Sequence, residues 1–252
     1  MPTISAMVNT YNEEKNIADC LESLAWVDEL VVVDSGSTDL TMEIARSYAH
    51  KVISVSPGNF SDIRNEGLKH LTGEWVIVID ADERVTEELQ REIKNSIAAE
   101  SKQVGFQIPR KNFFMRQWIK YCGWYPDYVL RLFRNSREHV FSGLVHEAVL
   151  LKGEIGIMEQ PLIHYTYNGL EQYLNKFNRY TTLSAEMICN KGRKINLTHL
   201  IIRPPLEFIK MFFLKRGFLD GLYGFIISYM SSMYVFVKFA KAWLKQKKQV
   251  SR

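Results

Sequence analysis

Glu74-Trp75-Val76-Ile77-Val78-Ile79-Asp80-Ala81-Asp82 decides how this chain folds. A short apolar, β-branched run that ends abruptly in charge reads as a strand buried on both faces, the kind found inside parallel sheets. Strand side chains alternate faces, so Asp80 and Asp82 are expected to point the same way where the aliphatic run stops. Two hard anionic oxygens there can grip a divalent cation. Mg²⁺ or Mn²⁺ held by one or two carboxylates keeps waters and completes its shell from substrate phosphates, which points to a nucleotide-sugar site and not to a structural metal cage. The tripeptide alone is common and fits, more readily than a metal site, two solvated turn residues capping a helix that starts near Val85.

Working outward from this strand, the first hundred residues alternate strand and helix signals. Residues 3–8, 29–34, 51–55 and 74–80 read as strands; residues 15–24, 39–49, 60–71 and 85–99 read as helices. A βαβ series of this kind predicts an α/β fold with a Rossmann-like, mostly parallel sheet flanked by helices. Ligands bind such sheets outside the carboxyl ends of the strands. The loops in question are 9–14, 35–39 and 80–84. From residue 104 the pattern changes to shorter strand-like pieces between aromatic and basic stretches. Residues 129–133 read as a strand, 155–164 as containing another, and 170–189 as a helix. Pro204-Pro205 then breaks or starts a helix.

Composition narrows the class. Of the 252 residues, 46% are hydrophobic, ample for a packed core. Three cysteines, Cys20, Cys122 and Cys189, lie far apart and leave one over in any pairing, which suits a reduced, cytosolic setting. Met1-Pro2-Thr3 leads straight into strand-like sequence, so no signal peptide is expected. The net charge of +4 conceals an asymmetry. Residues 1–199 carry 22 Lys/Arg against 26 Asp/Glu, whereas residues 200–252 carry 10 against 2. Those C-terminal cations flank apolar runs, a combination that an anionic membrane surface explains better than a nucleic acid does.

Four motifs fall in order along the strands: Asn9-Thr10-Tyr11-Asn12-Glu13-Glu14, Val33-Asp34-Ser35-Gly36-Ser37-Thr38-Asp39, Ser61-Asp62-Ile63-Arg64-Asn65-Glu66-Gly67, and Gly73-Glu74-Trp75 leading to Asp80-Ala81-Asp82. Together they resemble the N-terminal half of glycosyltransferase family two, which has the GT-A fold. The resemblance implies a UDP-sugar donor and Mg²⁺ or Mn²⁺. Asp34 would contact uracil or ribose, with Thr10, Asn12, Glu13, Ser35 and Asp39 around the nucleotide and Asp80 and Arg64 toward its phosphates; Asp80, Asp82 and His164 would hold the cation. Ser37, Thr38 and Asp39 are also good N-cap residues, so a structural role can coexist with a ligand role. No Gly-x-x-x-x-Gly-Lys-Ser/Thr loop and no Gly-x-Gly-x-x-Gly occurs, so phosphate charge must be met by a metal or by Arg64.

Where family members place an acidic catalytic pair, this chain has His146-Glu147, which makes Glu147 the candidate base for an inverting, metal-assisted transfer. A structural role for Glu147, pairing with Arg131 or Arg134, is the alternative. Trp124 and Asp127 make a candidate acceptor wall. The Arg-Leu-Phe-Arg segment, Val145-His146-Glu147 and Gly217-Phe218-Leu219-Asp220-Gly221-Leu222-Tyr223-Gly224-Phe225 are similar to the bacterial lipopolysaccharide-core β-1,4-glucosyltransferase group. That likeness implies glucose as the sugar and a glycan or lipid-linked saccharide as the acceptor.

Residues 221–237 are 17 residues without a charge, flanked by Lys210, Lys215 and Arg216 before and by Lys238, Lys241, Lys245, Lys247 and Lys248 after. This is short for a bilayer span and reads as interfacial or hairpin-like association, placing the protein at the cytoplasmic face of the inner membrane as a peripheral or monotopic enzyme. The same helices could pack as an ordinary pair or form a homo-oligomer interface. The expected organisation is a nucleotide-sugar-binding half at 1–100, an acceptor-binding and catalytic half at 101–190, and a helical, basic and apolar extension at 191–252. A nucleotidyltransferase or a non-catalytic membrane-associated nucleotide-binding scaffold are the competing readings; no nucleic-acid partner is expected.

Overall fold

In the computed structural model the described residues are all except 57–59, 99–101, 137–139, 143–147, 168 and 251–252. The run that opens the sequence analysis is strand β4, Trp75–Asp80, and its five apolar residues are buried. It lies parallel to β1, Ile4–Thr10, which is parallel to β2, Glu29–Asp34, and that to β3, Lys51–Ser54. Helices α1, Ile17–Glu22, α2, Thr41–Arg46, and α3, Phe60–Leu68, make the crossovers. The strand rule of alternating faces is obeyed strictly. Ala6, Val8, Leu30, Val32, Ile77 and Ile79 pack in one cluster with Ile17 and Leu21 of α1. Met7, Val31, Val33, Val76 and Val78 pack in another with Ile63 of α3.

Beyond β4 the sheet turns antiparallel. After a two-residue strand β5, Glu83–Arg84, helix α4 covers Glu87–Ala98, and its Leu89, Ile93 and Ile97 join the first cluster. The helix therefore starts two residues later than the expected position near Val85. Thr86 caps it, its Oγ1 accepting from the Leu89 N–H at 3.2 Å, and Glu87 and Glu88 stand in the first turn where the dipole favours them. Strand β6, Gln103–Phe114, is a single 12-residue strand where shorter pieces were expected. The two-residue strand β7, Gln117–Trp118, pairs with its end. Strand β8, Asp127–Arg134, runs antiparallel to both β4 and β6. The short pair β9, Phe141–Ser142, and β10, Ala148–Val149, follows, then β11, Glu154–Ile157, alongside β6, and β12, Leu162–Tyr167, whose Ile163 and His164 pair with Arg84 and Glu83.

The residues group into two compact units that do not follow chain order. The first comprises Met1–Arg110 and Asp127–His164, the second Lys111–Pro126 and Tyr165–Arg252. In the second unit, α5, Leu170–Asn190, α6, Leu197–Ile201, and α7, Arg203–Ile209, precede a π turn at Lys210–Leu214 and a 3₁₀ turn at Gly217–Asp220. The chain ends in α8, Gly221–Val250, a 30-residue helix. Phe114, Ile119, Cys122, Met211 and Ile227 form the core of this unit.

Candidate functional site

The expected ligand loops meet at the carboxyl ends of β1, β2 and β4. Register puts Thr10 beside Asp34 and Asn9 beside Asp80, so all three loops open from one rim of the sheet. Backbone geometry then stitches the first two together. Asn12 stands in the left-handed region, φ 53°, and its Oδ1 accepts from the Thr38 N–H at 2.8 Å while its own N–H donates to Ser37 Oγ at 2.8 Å. The Glu13 N–H donates to Thr41 Oγ1 at 2.8 Å and the Glu14 N–H to Asp39 Oδ2 at 3.2 Å. Glu13 Oε2 accepts from Asn16 at 2.6 Å.

Asp34 is buried and closes its own turn. Its Oδ2 accepts from the backbone N–H groups of Gly36 and Ser37 at 3.0 and 2.9 Å, and its Oδ1 from the Ser37 hydroxyl. The carbonyl of Thr10 receives both the N–H and the hydroxyl of Ser35, at 3.1 and 3.2 Å. Asp39 serves the same framework through Thr41, 3.0 Å from its N–H and 2.5 Å from its hydroxyl. Burial alone would raise the Asp39 carboxyl, but the Thr41 and Glu14 hydrogen bonds hold it below the usual range. Three polar atoms at the β1 end are buried with no hydrogen-bond partner: both amide atoms of Asn9 and the Thr10 hydroxyl. Such orphans carry a desolvation cost unless something completes them.

At the end of β4 the strand stops at Asp80, and Ala81 and Asp82 form a turn, so the two carboxylates meet different partners. Asp80 is gripped by two arginines, Arg64 Nη2 of α3 on Oδ1 at 2.8 Å and Arg131 Nη2 of β8 on Oδ2 at 2.5 Å. Burial would push this carboxyl up, yet the Arg131 and Arg64 guanidiniums hold it well below the usual carboxylate range. Behind it lies Glu83, fully buried. Its Oε1 accepts from Arg131 at 2.6 Å and faces Arg110 at 3.4 Å, and its Oε2 accepts from the Asp80 backbone N–H at 3.0 Å. Arg110 also holds Asp127 at 2.6 Å. Three cations and three anions from five elements thus alternate in one network, which is what keeps so much charge tolerable in a buried setting.

Asp82 faces His164 instead, Oδ2 to Nε2 at 3.6 Å, with both side chains nearly buried. An oxygen and an imidazole nitrogen at that separation can share one cation. Among the described residues no group of three His, Cys, Asp or Glu stands together as a metal site. The donor set fits an ion that takes its remaining ligands from water and phosphate, as Mg²⁺ and Mn²⁺ do. Glu147 lies outside the described residues, as does His146. Trp124 belongs to the second unit, edge-on to Phe114 at 6.1 Å, whereas Asp127 of the first unit is engaged by Arg110. The three cysteines are free.

Sequence reasoning passed over Glu83 and Arg110 and gave Arg131 another partner. The signal for Arg131 was present: it interrupts the apolar strand Val129-Leu130-Arg131-Leu132-Phe133, and a charge inside such a run needs a buried counter-ion. Glu83 sits beside Asp82 in a stretch that reads as a polar turn, and it is buried only in the fold, where β12 pairs with β5 and Arg131 and Arg110 reach its carboxylate.

The model of the family described as glycosyl transferase family 2 matches residues 5–152. The chain belongs to glycosyl transferase family 2. The matched span contains the whole charge network and Asp82. Over nearly its full length this glycosyltransferase is 29% identical to the lipopolysaccharide core biosynthesis glycosyltransferase LpsC of Rhizobium meliloti, covering 95% of this chain and 92% of that protein. It is likewise 29% identical to an uncharacterized glycosyltransferase of Rickettsia typhi, over 96% of this chain and 87% of the other. Among solved structures, S. aureus TarS residues 1–349 in complex with UDP-GlcNAc is similar at a TM-score of 0.49 and 16% identity, over 98% of this chain and 92% of that one.

Proposed function

We propose that this glycosyltransferase moves a sugar, glucose by preference, from a UDP-sugar to a bacterial surface glycan or lipid-linked saccharide such as lipopolysaccharide core, using Mg²⁺ or Mn²⁺. The observation that carries this reading is the Asp82–His164 pair beside the arginine-held Asp80, at the rim where the β1 and β2 loops meet. Asp82 and His164 would hold the cation, which when bound offsets the charge of the departing diphosphate. Arg64, on the same carboxylate, brings a fixed positive charge to that rim for phosphate. Thr10 and Asn9 offer the partnerless polar atoms that a uracil or ribose would complete, on a frame set by Asn12, Glu13, Asp34, Ser35 and Asp39. Glu147 is assigned as the base that takes the acceptor hydroxyl proton, giving inversion in one displacement. Similarity to LpsC supports a lipopolysaccharide-type acceptor, and the apolar, basic C-terminal segment supports a site of action at the cytoplasmic face of the inner membrane.

The test is thermal unfolding of the full chain with UDP, with and without Mn²⁺, followed by transfer assays. A ligand at about a hundredfold its Kd stabilises the native state by about 2.7 kcal/mol. Protection by UDP should require Mn²⁺ or Mg²⁺ and be lost in Asp82→Ala, with the unliganded midpoint of that variant measured alongside to separate loss of the site from loss of the fold. Protection that is the same with and without the ion, or unchanged in Asp82→Ala, rules out the metal assignment. Release of pyrophosphate instead of UDP would identify a nucleotidyltransferase.

A further inference from the structure

The tail has a sharper reading than membrane affinity. We infer that the turn joining α7 to α8 is a monotopic wedge that enters one anionic lipid leaflet, and that α8 does not cross the bilayer. This rests on the proposal that the enzyme works at a membrane, and it adds which residues enter and how far.

By length and composition α8 could span, since residues Gly217–Lys247 form a helical stretch with mean hydropathy 1.3 in its most apolar window. Its contacts say otherwise. The second half of the helix is strapped to α5 by polar bonds along its length. Tyr234 Oη bonds Ser184 Oγ at 2.8 Å; Lys241 Nζ donates to the Asn178 carbonyl and side chain and to the hydroxyls of Thr181 and Thr182, all within 3.0 Å; Lys245 pairs with Glu186 at 3.1 Å. Helix α5 also carries Glu171, Lys176 and Arg179. A helix so bonded cannot enter hydrocarbon without taking these charges along, which costs several kcal/mol each by common scales. The polar strap therefore stays at or above the headgroups.

The other end is built differently. Ile209, Phe213, Leu214, Phe218, Leu219 and Leu222 are exposed on the turn, Leu214 by 76% and Leu222 by 70%. Phe212 links them, its ring 5.1 Å from Phe213, 6.2 Å from Phe218 and 6.0 Å from Phe225. This display is held rigidly. Gly217 is buried against Cys122, and a Cβ on Gly224 would fall 1.8 Å from the Gly217 carbonyl oxygen. Asp220 accepts from the backbone N–H groups of Lys120 and Tyr121 at 3.2 and 2.9 Å, and Lys215 O accepts from Cys122 N–H at 3.0 Å. An apolar surface fixed in this way is an interaction site and not an unfolded end.

Charge selects the occupant. Lys210, Lys215 and Arg216 are exposed along the same turn, Lys210 paired with Glu207 at 3.3 Å, and Lys111 and Lys120 lie over the Trp118 ring at 4.1 and 4.5 Å. Gln117, Trp118, Lys120, Tyr121, Leu219 and Asp220 line an open groove of about 370 Å³ beside the tip. Aromatic and cationic side chains around an apolar tip match the headgroup layer of an anionic leaflet, where each nearby cation adds to binding. A second copy fits worse, because a two-fold contact through the tip would set these cations against their own images.

The experiment compares the full chain with Leu214→Glu/Leu222→Glu and Lys215→Ala/Arg216→Ala by flotation with phosphatidylcholine vesicles that do or do not contain a third phosphatidylglycerol. The wild type should float with anionic vesicles, and a Leu214→Cys thiol should stay out of reach of an impermeant maleimide sealed inside them. The glutamate variant should lose at least about tenfold in partitioning, and the alanine variant should lose its preference for anionic lipid. Protection of either variant by UDP and Mn²⁺ in solution should match the wild type, so failure there tests the nucleotide site separately. Unchanged flotation of the glutamate variant overturns the wedge, and labelling of a Leu214→Cys thiol by an impermeant maleimide sealed inside the vesicles overturns the monotopic depth. A wild-type dimer that the glutamate variant dissociates, with no vesicle binding, assigns the surface to a second copy.

Discussion

Replacing Glu83 with Gln removes one negative charge from the buried centre of the network of Arg64, Arg110, Arg131, Asp80, Glu83 and Asp127 and leaves a net positive charge there. Glu83 is wholly inaccessible and Arg131 nearly so, so water screens little of the loss. Removing one partner of a buried ion pair typically costs about 3–5 kcal/mol. Gln keeps the shape and one acceptor for Arg131, but its amide group then meets the Asp80 N–H donor-to-donor, so a loss of about 3 kcal/mol is expected. For a chain of this size that lowers Tm by about 6–12 °C. Glu88→Gln is the control, an exposed residue in the first turn of α4 whose Arg91 partner at 3.5 Å is screened by solvent, so its midpoint should move far less than that of Glu83→Gln. Urea titration with an unchanged m-value would report the difference as stability alone. A loss below about 1 kcal/mol for Glu83→Gln would refute the claim that the buried network fixes the end of β4.

Acid titration of stability checks the Asp80 pair. Its folded carboxyl is held below the ordinary value, so its contribution is present above about pH 4 and is lost as pH falls through the folded value. Arg131→Met should lift that value toward the unfolded one and flatten the acid limb of the stability curve; equal acid slopes in variant and wild type would contradict the pairing. Gly224→Ala should cost about 1–3 kcal/mol or more, because the clash is with backbone and not with a movable side chain, and a thermal midpoint within error of wild type would show that the 3₁₀ turn is not packed as described.

How much of this was legible in advance differs by element. The parallel half of the sheet was, because each strand is a short apolar run with its own period and each crossover is local in sequence. The antiparallel half was harder to read: β6 passes through Pro109, Arg110 and Lys111 in a way that breaks the apolar pattern, yet it forms one strand because β8 supplies partners from Gly105 to Arg110 on one edge, across a register shift between Phe106 and Gln107. Asp80 and Asp82 stand out in the sequence at a strand end; His164 reads the same way, although β12 continues past it to Tyr167. That Asp80 goes to arginines while Asp82 goes to His164 does not, since the strand stops at Asp80 and the turn separates two residues that simple alternation would keep together.

The sequence by itself determined the βαβ frame, the rim where acidic side chains collect and the apolar, basic character of the tail, all properties carried by periodicity and local composition. Tertiary structure alone decided the partners: Glu83 and Arg110 enter the buried network only when β5, β6, β8 and β12 converge, and α8 is kept beside α5 by polar bonds across some sixty residues of chain and by the edge-on Phe177–Tyr234 pair at 5.8 Å. Charge pairing at a distance in sequence depends on which surfaces the fold brings within a few ångströms, and no local pattern encodes that.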